Sequence, residues 1–230
     1  MALIGNGVLV IWNGIAREAE EDFVAWHVRE HIPERVGLPG FLRGRRYVAV
    51  DGHPKYFNFY ETETAADLSS PVYQSRLNAP TNWTKQVVAH FIDTSRTICD
   101  VVWSLGVGEG GWIEAVVLDT TAAAETFQAA LRDRLADAIT AIPGLVGLHL
   151  LRGHVAAGQG DTAEKNLRGA PDKTAAWVLM AEASRPEAIE AFRSGMGDNK
   201  AMVACGAAET IVRGIYQMQF ALTKAELAKS

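Results

Sequence analysis

Several residue types and patterns are scarce in this 230-residue chain, and their scarcity narrows the range of functions. Two cysteines, Cys99 and Cys205, are too few for a disulfide framework or a cysteine metal site. No basic run or stripe occurs, and the net charge of −5 disfavours nucleic-acid binding because nothing would neutralise the phosphates. No apolar stretch approaches the ~20 residues that span a membrane. The amino-terminal apolar run is interrupted by Gly and Asn and lacks a basic region, so it predicts a first strand and not a signal peptide. We therefore expect a cytoplasmic protein that binds neither nucleic acid nor membrane.

An internal repeat is the most informative feature that the chain does contain. Residues 21–47 align without a gap to residues 125–151, at an offset of 104. The alignment matches Glu21 with Glu125, Phe23 with Phe127, and Pro39-Gly40 with Pro143-Gly144. It also contains a difference in chemistry, because Leu131 and Leu135 of the second copy correspond to His27 and His31 of the first.

The first copy predicts the order β-α-β-β-α-β. Strands are expected at residues 7–13, 41–50, 56–63 and 91–104, and residues 51–54 fit a tight hairpin turn. One helix is expected at residues 17–34, and a second helical region at residues 65–88 is expected to be broken by Pro71 and Pro80.

The second copy predicts the same order. Strands are expected at residues 112–119, 145–154, 175–182 and 209–222, with helices at residues 122–142 and 186–194. Arg96 and Arg213 occupy matching places in the two closing strands, at an offset of 117. Most of the 13 gained residues lie between the two central strands of copy two, from Ala156 to Lys173, and loops of this length are usually functional or mobile.

This element order predicts an α+β fold made of tandem ferredoxin-like repeats. Copy one would comprise residues 1–105, the expected active half, and copy two residues 106–230, expected to be mainly structural. A ferredoxin-like sheet has helices on one face only, while several strands here are apolar on both faces. The two copies are therefore expected to cover each other's open face as an intramolecular pseudo-dimer.

Short motifs in copy one carry a resemblance to a known superfamily. They are Trp26-His27-x-x-x-His31-x-Pro33, Leu38-Pro39-Gly40-Phe41 and Arg45-Arg46-Tyr47. With the repeat order, they make the chain resemble the dimeric α/β-barrel superfamily, and within it EthD-like and antibiotic-biosynthesis-monooxygenase-like proteins. The resemblance covers nearly the whole chain and implies fold more than reaction. Its members include cofactor-independent oxygenases, isomerases, polyketide cyclases, lyases and haem enzymes.

Helical spacing indicates where the two histidines point. In copy two an apolar stripe at i, i+3 and i+4 steps must pack on the sheet. Its members are Phe127, Ala130, Leu131, Leu135, Ala138 and Ile142. The corresponding stripe in copy one is Phe23, Trp26, His27, His31, Glu34 and Leu38. Burying unpaired ionisable groups costs about 1–3 kcal/mol each, so copy one is expected to hold a polar pocket where copy two has a dry core.

Two imidazoles one helical turn apart fit several chemistries. One could act as a base while the other donates a hydrogen bond to a carbonyl or oxyanion. The same spacing suits two ligands of a metal ion, with Glu30 or Glu34 the nearest third ligand, although no HExxH pattern is present. The alternative without function is that both histidines are hydrogen-bonded structural residues. Replacement of leucine at two aligned positions favours function.

Pro33 and a few polar or aromatic residues complete the predicted site. Pro33 has no N–H for the carbonyl of Arg29, so it should bend or end the helix and widen the space beside His31, unless it is only a kink before the turn. The substrate-binding candidates are Trp26, Glu34, Arg45, Tyr47, Asn58 and Trp83. Arg43, Arg45 and Tyr47 should share one strand face, with Arg46 on the other. An arginine there could bind a substrate carboxylate or phenolate, although pairing with Glu61 or Asp100 is the commoner arrangement.

The leading hypothesis is an enzyme that uses His27 and His31, without an organic cofactor, on a compact aromatic or polyketide-like carbonyl compound. Isomerase, cyclase, lyase and cofactor-independent monooxygenase reactions would all begin with the same deprotonation. The alternatives are a haem or divalent-metal oxidoreductase with its metal at His27 and His31, and a non-catalytic small-ligand protein. A homodimer of the two-copy chain is also compatible with the sequence.

Overall fold

Eight antiparallel strands close into one barrel in the computed structural model, which describes residues 3–155, 161–169 and 171–229. The strands are β1 (Gly7–Ile15), β2 (Phe41–Asp51), β3 (Tyr56–Thr62), β4 (Phe91–Gly106), β5 (Trp112–Leu118), β6 (Leu145–Gly153), β7 (Trp177–Ala183) and β8 (Val212–Thr223). Their order around the barrel is β1-β3-β2-β8-β5-β7-β6-β4. Each copy thus has the ferredoxin-like strand order, and the pairs β2–β8 and β4–β6 join the copies. This confirms the predicted fold, and closure leaves no strand edge unpaired.

The helices lie outside the barrel. They are α1 (Glu20–Trp26), α2 (Ile32–Val36), α3 (Pro71–Leu77), α4 (Asn82–Val88), α5 (Ala124–Leu135), α6 (Ala138–Ala141), α7 (Ala163–Asn166), α8 (Pro186–Ser194), α9 (Asn199–Ala204) and α10 (Lys224–Leu227). A π-helical segment, His27–His31, joins α1 to α2, and 3₁₀ turns occupy Arg17–Ala19 and Ala65–Ser69. Within the described residues, no helix has the length and apolar character needed to cross a bilayer.

Several predicted boundaries need correction. The helix expected at residues 122–142 is two helices, and the last strand begins at Val212 and not at residue 209. Pro71 begins α3, where its missing N–H has no intrahelical partner to lose, and Ser70 caps this end. The sequence did not predict α7, α9 or α10. A cap of the usual kind was present for α9, because Asp198 accepts the N–H of Ala201.

The barrel interior is where the two copies meet. Side chains on the inner strand faces pack into one core, which includes Val8, Val10, Tyr47, Phe57 and Phe59 from copy one and Ile113, Val178, Met180 and Tyr216 from copy two. The predicted mutual covering of the open faces is therefore confirmed. On the outside of copy two, α5 lays Phe127, Leu131 and Leu135 against the sheet in a dry core, as the stripe predicts.

A buried ionic network crosses the middle of the interior. Arg45 is fully buried and donates to Glu61 at 3.0 Å and to Glu182 at 2.9 Å, so one guanidinium joins matching carboxylates of the two copies. His149, the counterpart of Arg45, lies 3.3 Å from Glu182 and 2.9 Å from the hydroxyl of Ser104. Burial alone would raise the pKa of Glu182, but Arg45, His149 and the Gly110 N–H together lower it to about 2. Glu182 is therefore charged, and the buried network depends on the cation of Arg45.

Replacing Arg45 with methionine should therefore lower the free energy of unfolding by about 3–5 kcal/mol, because Glu61 and Glu182 lose the cation that they share. Urea denaturation followed by circular dichroism measures this change. Arg132→Met, at an exposed position of α5, is the control and should change stability by less than about 0.5 kcal/mol. Equal losses in the two variants would show that Arg45 is not central to the fold.

Candidate functional site

His27 and His31 lie between the first helical segment and the outer face of the copy-one sheet. They are 4% and 7% exposed, so the predicted inward orientation is confirmed. Both belong to the π-helical segment, whose wider turn fits the missing N–H of Pro33 that follows. The helix does not end at Pro33 but continues through α2 to Val36, which corrects that part of the prediction.

Aromatic rings hold the two imidazoles in a stack. The ring centroids of His27 and His31 are 5.5 Å apart and their planes differ by 26°. Trp26 lies 5.5 Å from His27 and 4.2 Å from His31, and its indole N–H donates to Thr84 at 3.2 Å. Phe23 stacks on the other side of His27 at 5.2 Å. The imidazoles therefore have fixed orientations before any ligand binds.

The ring nitrogens are less well satisfied than the ring faces. Nε2 of His27 lies 3.4 Å from the hydroxyl of Tyr60. Nδ1 of His27 and Nδ1 of His31 are buried and have no hydrogen-bond partner within the described residues. A buried polar atom without a partner is destabilising and usually has a functional explanation. Two such atoms on neighbouring, stacked rings indicate a binding site for a polar group of a ligand.

Both histidines are neutral at physiological pH. Burial lowers the pKa of His27 well below its usual 6.5, with a further contribution from Arg46 and Arg35. Burial also lowers the pKa of His31, and Arg35, His27, Arg76 and Arg168 act in the same direction. Burial raises the pKa of Tyr60, so this hydroxyl keeps its proton. A neutral imidazole has a nitrogen lone pair that can accept a proton, which is what a general base requires.

Two cavities with shared lining residues lie at this site, and the histidines line only the inner one. The inner cavity, of about 30 Å³, is lined by Trp26, His27, His31, Asn58 and Tyr60 among others. The outer cavity, of about 240 Å³, opens beside Gln74 and Leu77. Arg96, Glu164 and Arg168 line both cavities. The inner cavity has room for about one water-sized group, whereas the outer one can hold the body of a small molecule.

The long insertion of copy two covers this site in copy one. Ala163 donates its N–H to Asn78 at 3.0 Å, Glu164 pairs with Arg35 at 2.5 Å, and Arg96 donates its N–H to the carbonyl of Lys173 at 2.9 Å. Residues 156–160 and 170 of the insertion lie outside the described residues. The described part of the insertion forms one wall of the site.

Glu34 is not in the cavity, although the stripe predicted it there. The π turn adds about one residue to the helical register, so Arg35 occupies the inward position and is 2% exposed. Glu34 instead pairs with Arg35 at 2.9 Å and with Arg76. Glu30, the other carboxylate considered as a metal ligand, accepts from Thr81 at 2.6 Å and from Thr84 at 3.2 Å.

Three further predicted residues lie away from the histidines. Arg45 and Tyr47 point into the barrel, as their alternation with Arg46 requires, and they belong to the central network. Trp83 donates to Asp22 at 2.9 Å on the outside of α1 and α4. The structure brings together only Trp26, Asn58, His27 and His31 of the predicted set.

Sequence reasoning missed several residues of the site, and for two of them a signal existed. Tyr60 follows Asn58 by two positions on the same strand, so alternation places both on one face. Arg96 matches Arg213, whose surroundings in copy two could have been compared. Arg35 depends on the π turn, and Glu164 and Arg168 depend on where the insertion folds, so neither local pattern nor spacing indicates them.

The donor atoms and the volume of the cavity bear on whether a metal ion or a haem could bind there. His27 and His31 offer two nitrogens, but no group of three or more His, Cys, Asp or Glu side chains suited to a metal occurs in the described part of the chain. The inner cavity is far too small for a porphyrin beside either imidazole. The residues in this arrangement do not fit a metal ion or a haem.

Comparison with known proteins bears on the fold. No protein-family model and no curated protein matches the sequence. Among solved structures, an anthrone oxidase-like protein superposes with a TM-score of 0.63 at 13% identity, covering 96% of this chain and 94% of its own. A protein from Fusobacterium nucleatum, named for an expected monooxygenase activity, gives 0.59 at 11% identity, covering 96% of both chains. These neighbours confirm the predicted fold, a closed barrel of two ferredoxin-like halves.

A third structural neighbour is named for a different chemistry. It is a haem-binding protein from Thermus thermophilus, with a TM-score of 0.53 at 10% identity, covering 98% of this chain and 94% of its own. At such identities the likeness concerns the backbone alone, and the site chemistry must be argued from the residues of this chain.

The low pKa of His27 and His31 predicts a pH-dependent stability. Between the usual value of 6.5 and the lowered one, the unfolded chain binds more protons than the folded chain. The free energy of unfolding should therefore fall as the pH drops below about 6.5, by up to about 1.4 kcal/mol per pH unit for each histidine. Urea denaturation across this range measures the slope, and the double variant His27→Leu/His31→Leu should have a flatter profile.

His53→Leu is the matched control for this measurement, because the side chain of His53 is 76% exposed. It should leave the slope unchanged. Identical slopes in the wild type and the double variant would contradict the assignment of buried, neutral histidines.

Proposed function

We propose that this protein is a small-molecule enzyme in which His27 and His31 carry out acid–base chemistry on a compact, aromatic or polyketide-like carbonyl compound, without an organic cofactor. The observation that carries the proposal is the pair of buried, neutral imidazoles with unpartnered Nδ1 atoms, at the two places where copy two packs leucine. Packing of the helix does not require histidine at these positions, since Leu131 and Leu135 pack the equivalent helix without any polar group.

The two histidines have different surroundings, which suggests different roles. We assign the Tyr60 hydroxyl, which keeps its proton, as the donor to Nε2 of His27 at 3.4 Å, and this assignment places the ring proton of neutral His27 on Nδ1. His27 is then a hydrogen-bond donor for the carbonyl oxygen of the substrate. His31 has no such donor on Nδ1 and serves as the base. The carbon–hydrogen bond next to the carbonyl loses its proton to His31, and the electron pair moves onto the oxygen that His27 holds.

The enolate formed in this way leads to several products. Reprotonation at another carbon gives isomerisation, attack on a second carbonyl gives cyclisation, and loss of a neighbouring group gives lyase chemistry. Transfer of electrons from the enolate to oxygen gives a cofactor-independent oxygenase. The names of the anthrone oxidase-like and monooxygenase-named neighbours favour this last route.

The same proposal divides the work between the copies. Residues 1–105 form the active half and supply both histidines, Tyr60 and Trp26. Residues 106–230 mainly support the barrel, since α5 buries only apolar side chains against its sheet. The exception is the insertion, whose Glu164 and Arg168 line the cavities of copy one.

The first step can be measured without knowing the final product. Wild-type protein, incubated without oxygen in deuterated buffer with a panel of enolisable aromatic ketones that includes anthrone, should exchange the hydrogen next to the carbonyl faster than buffer does. His31→Leu should lose about 10²- to 10⁴-fold in this rate because the base is absent. Proton NMR follows the exchange, and an oxygen electrode then shows whether oxygen is consumed when air is admitted.

His53→Leu again serves as the control and should keep the wild-type rate. His27→Leu should also slow exchange, because the enolate oxygen loses its hydrogen-bond donor. Full exchange activity in both His27→Leu and His31→Leu would overturn the proposed function, whatever the substrate.

A further inference from the structure

The two copies treat one pair of matching arginines differently. In copy two, Arg213 on β8 forms two hydrogen bonds with Glu114 on β5, both of 2.9 Å. Glu114 is fully buried and lies two residues from Val116, which pairs with Arg213 in the sheet. Arg213 is thus neutralised within the chain.

In copy one the carboxylate is missing. Arg96 pairs with Ile11 as Arg213 pairs with Val116, so the position of Glu114 corresponds to Leu9. The neighbouring strand gives the same correspondence, because Leu9 faces Tyr60 and Glu114 faces Ala181. No carboxylate of the described residues lies within salt-bridge distance of the Arg96 guanidinium.

Arg96 is nevertheless held in one position. Its guanidinium donates to the hydroxyl of Tyr73 at 2.9 Å and lies 5.9 Å from the centroid of that ring. It lines both the inner and the outer cavity. A fixed guanidinium facing a cavity has its remaining N–H groups available for a planar, two-oxygen anion.

The other arginines around the cavities already have partners. Arg35 pairs with Glu164, and Arg168 forms two hydrogen bonds with Asp172 at 2.9 and 2.6 Å. Lys165 adds a further positive charge to the lining of the outer cavity. Among the arginines that line these cavities, Arg96 is therefore the one without a carboxylate at salt-bridge distance in the described residues.

We infer that Arg96 binds a carboxylate of the substrate, so that the substrate class is a small aromatic or polyketide-like acid that also carries a carbonyl group. The body of the molecule lies in the outer cavity with its carboxylate on Arg96, and only the carbonyl end enters the inner cavity beside His27 and His31. This inference rests on the proposed function, because it names the substrate of the same cavity. Arg96 on β4 thus takes the anion-binding role that the sequence suggested for Arg45 on β2.

The exchange of Leu9 for Glu114 between the copies supplies a direct experiment. Benzoate is the anionic probe, benzamide its neutral counterpart of the same shape, and sulfate the inorganic anion. Binding is followed by NMR of the arginine Nε–H groups and by calorimetry, with no turnover required. Wild-type protein should bind benzoate with a saturable shift of the Arg96 signal and should bind benzamide more weakly.

Leu9→Glu should lower benzoate affinity about 10- to 100-fold, because the new carboxylate occupies Arg96 as Glu114 occupies Arg213. Leu9→Gln is its matched control and should keep wild-type affinity. Arg96→Gln should cause a similar loss, and it keeps the test decisive if Leu9→Glu fails to fold. Leu9→Glu and Arg96→Gln should both leave benzamide binding unchanged.

Absence of saturable benzoate binding at millimolar concentration, or equal binding to wild type and Arg96→Gln, would overturn the inference. Stronger binding of sulfate than of benzoate would also overturn it, because the site would then suit a free inorganic anion. His31→Leu should retain benzoate binding while it loses proton exchange. In the wild-type protein, proton exchange without benzoate binding therefore contradicts only this inference, and benzoate binding without proton exchange contradicts only the proposed function.

Discussion

The structure depends above all on one buried cation, Arg45, held between Glu61 and Glu182 in the centre of the barrel. Charges are costly to bury, so each needs partners of good geometry. Here the partners come from both copies, which ties the two sheets together where apolar packing alone would leave their relative position loosely specified. The open sheet faces are thereby committed to structure. The candidate site of copy one lies outside the barrel, under the helices.

Under the helices the two copies follow the same backbone plan with different chemistry. Copy two packs Leu131 and Leu135 on its helix and pairs Arg213 with Glu114. Copy one places imidazoles on its helix and leucine where the glutamate would be. Each change alone would destabilise a dry core. Together they give copy one a cavity lined by two imidazoles, a tyrosine hydroxyl and a guanidinium.

How much of this could be predicted from sequence differs from element to element. The strands and the stripe through Phe127 and Leu135 follow from periodicity, and transfer of that stripe placed His27 and His31 correctly. Glu34 was misplaced because a π turn changes the register that a regular helix would keep. The alternation of β2 was right for Arg45, yet alternation cannot show which sheet face becomes the barrel interior. Glu164 could not be found because its position depends on how a distant insertion folds.

The insertion of copy two over the cavity of copy one has a consequence for stoichiometry. In a barrel of two identical subunits, every substitution and every inserted loop appears twice, so a base on one helix requires the same base on the other. A single chain with two copies is free of this restriction. One repeat can keep its leucines and its internal ion pair while it lends a wall to the other. Within the described residues, the proposed histidine site therefore occurs in one half of the barrel, whereas a barrel of two identical subunits would carry it in both halves.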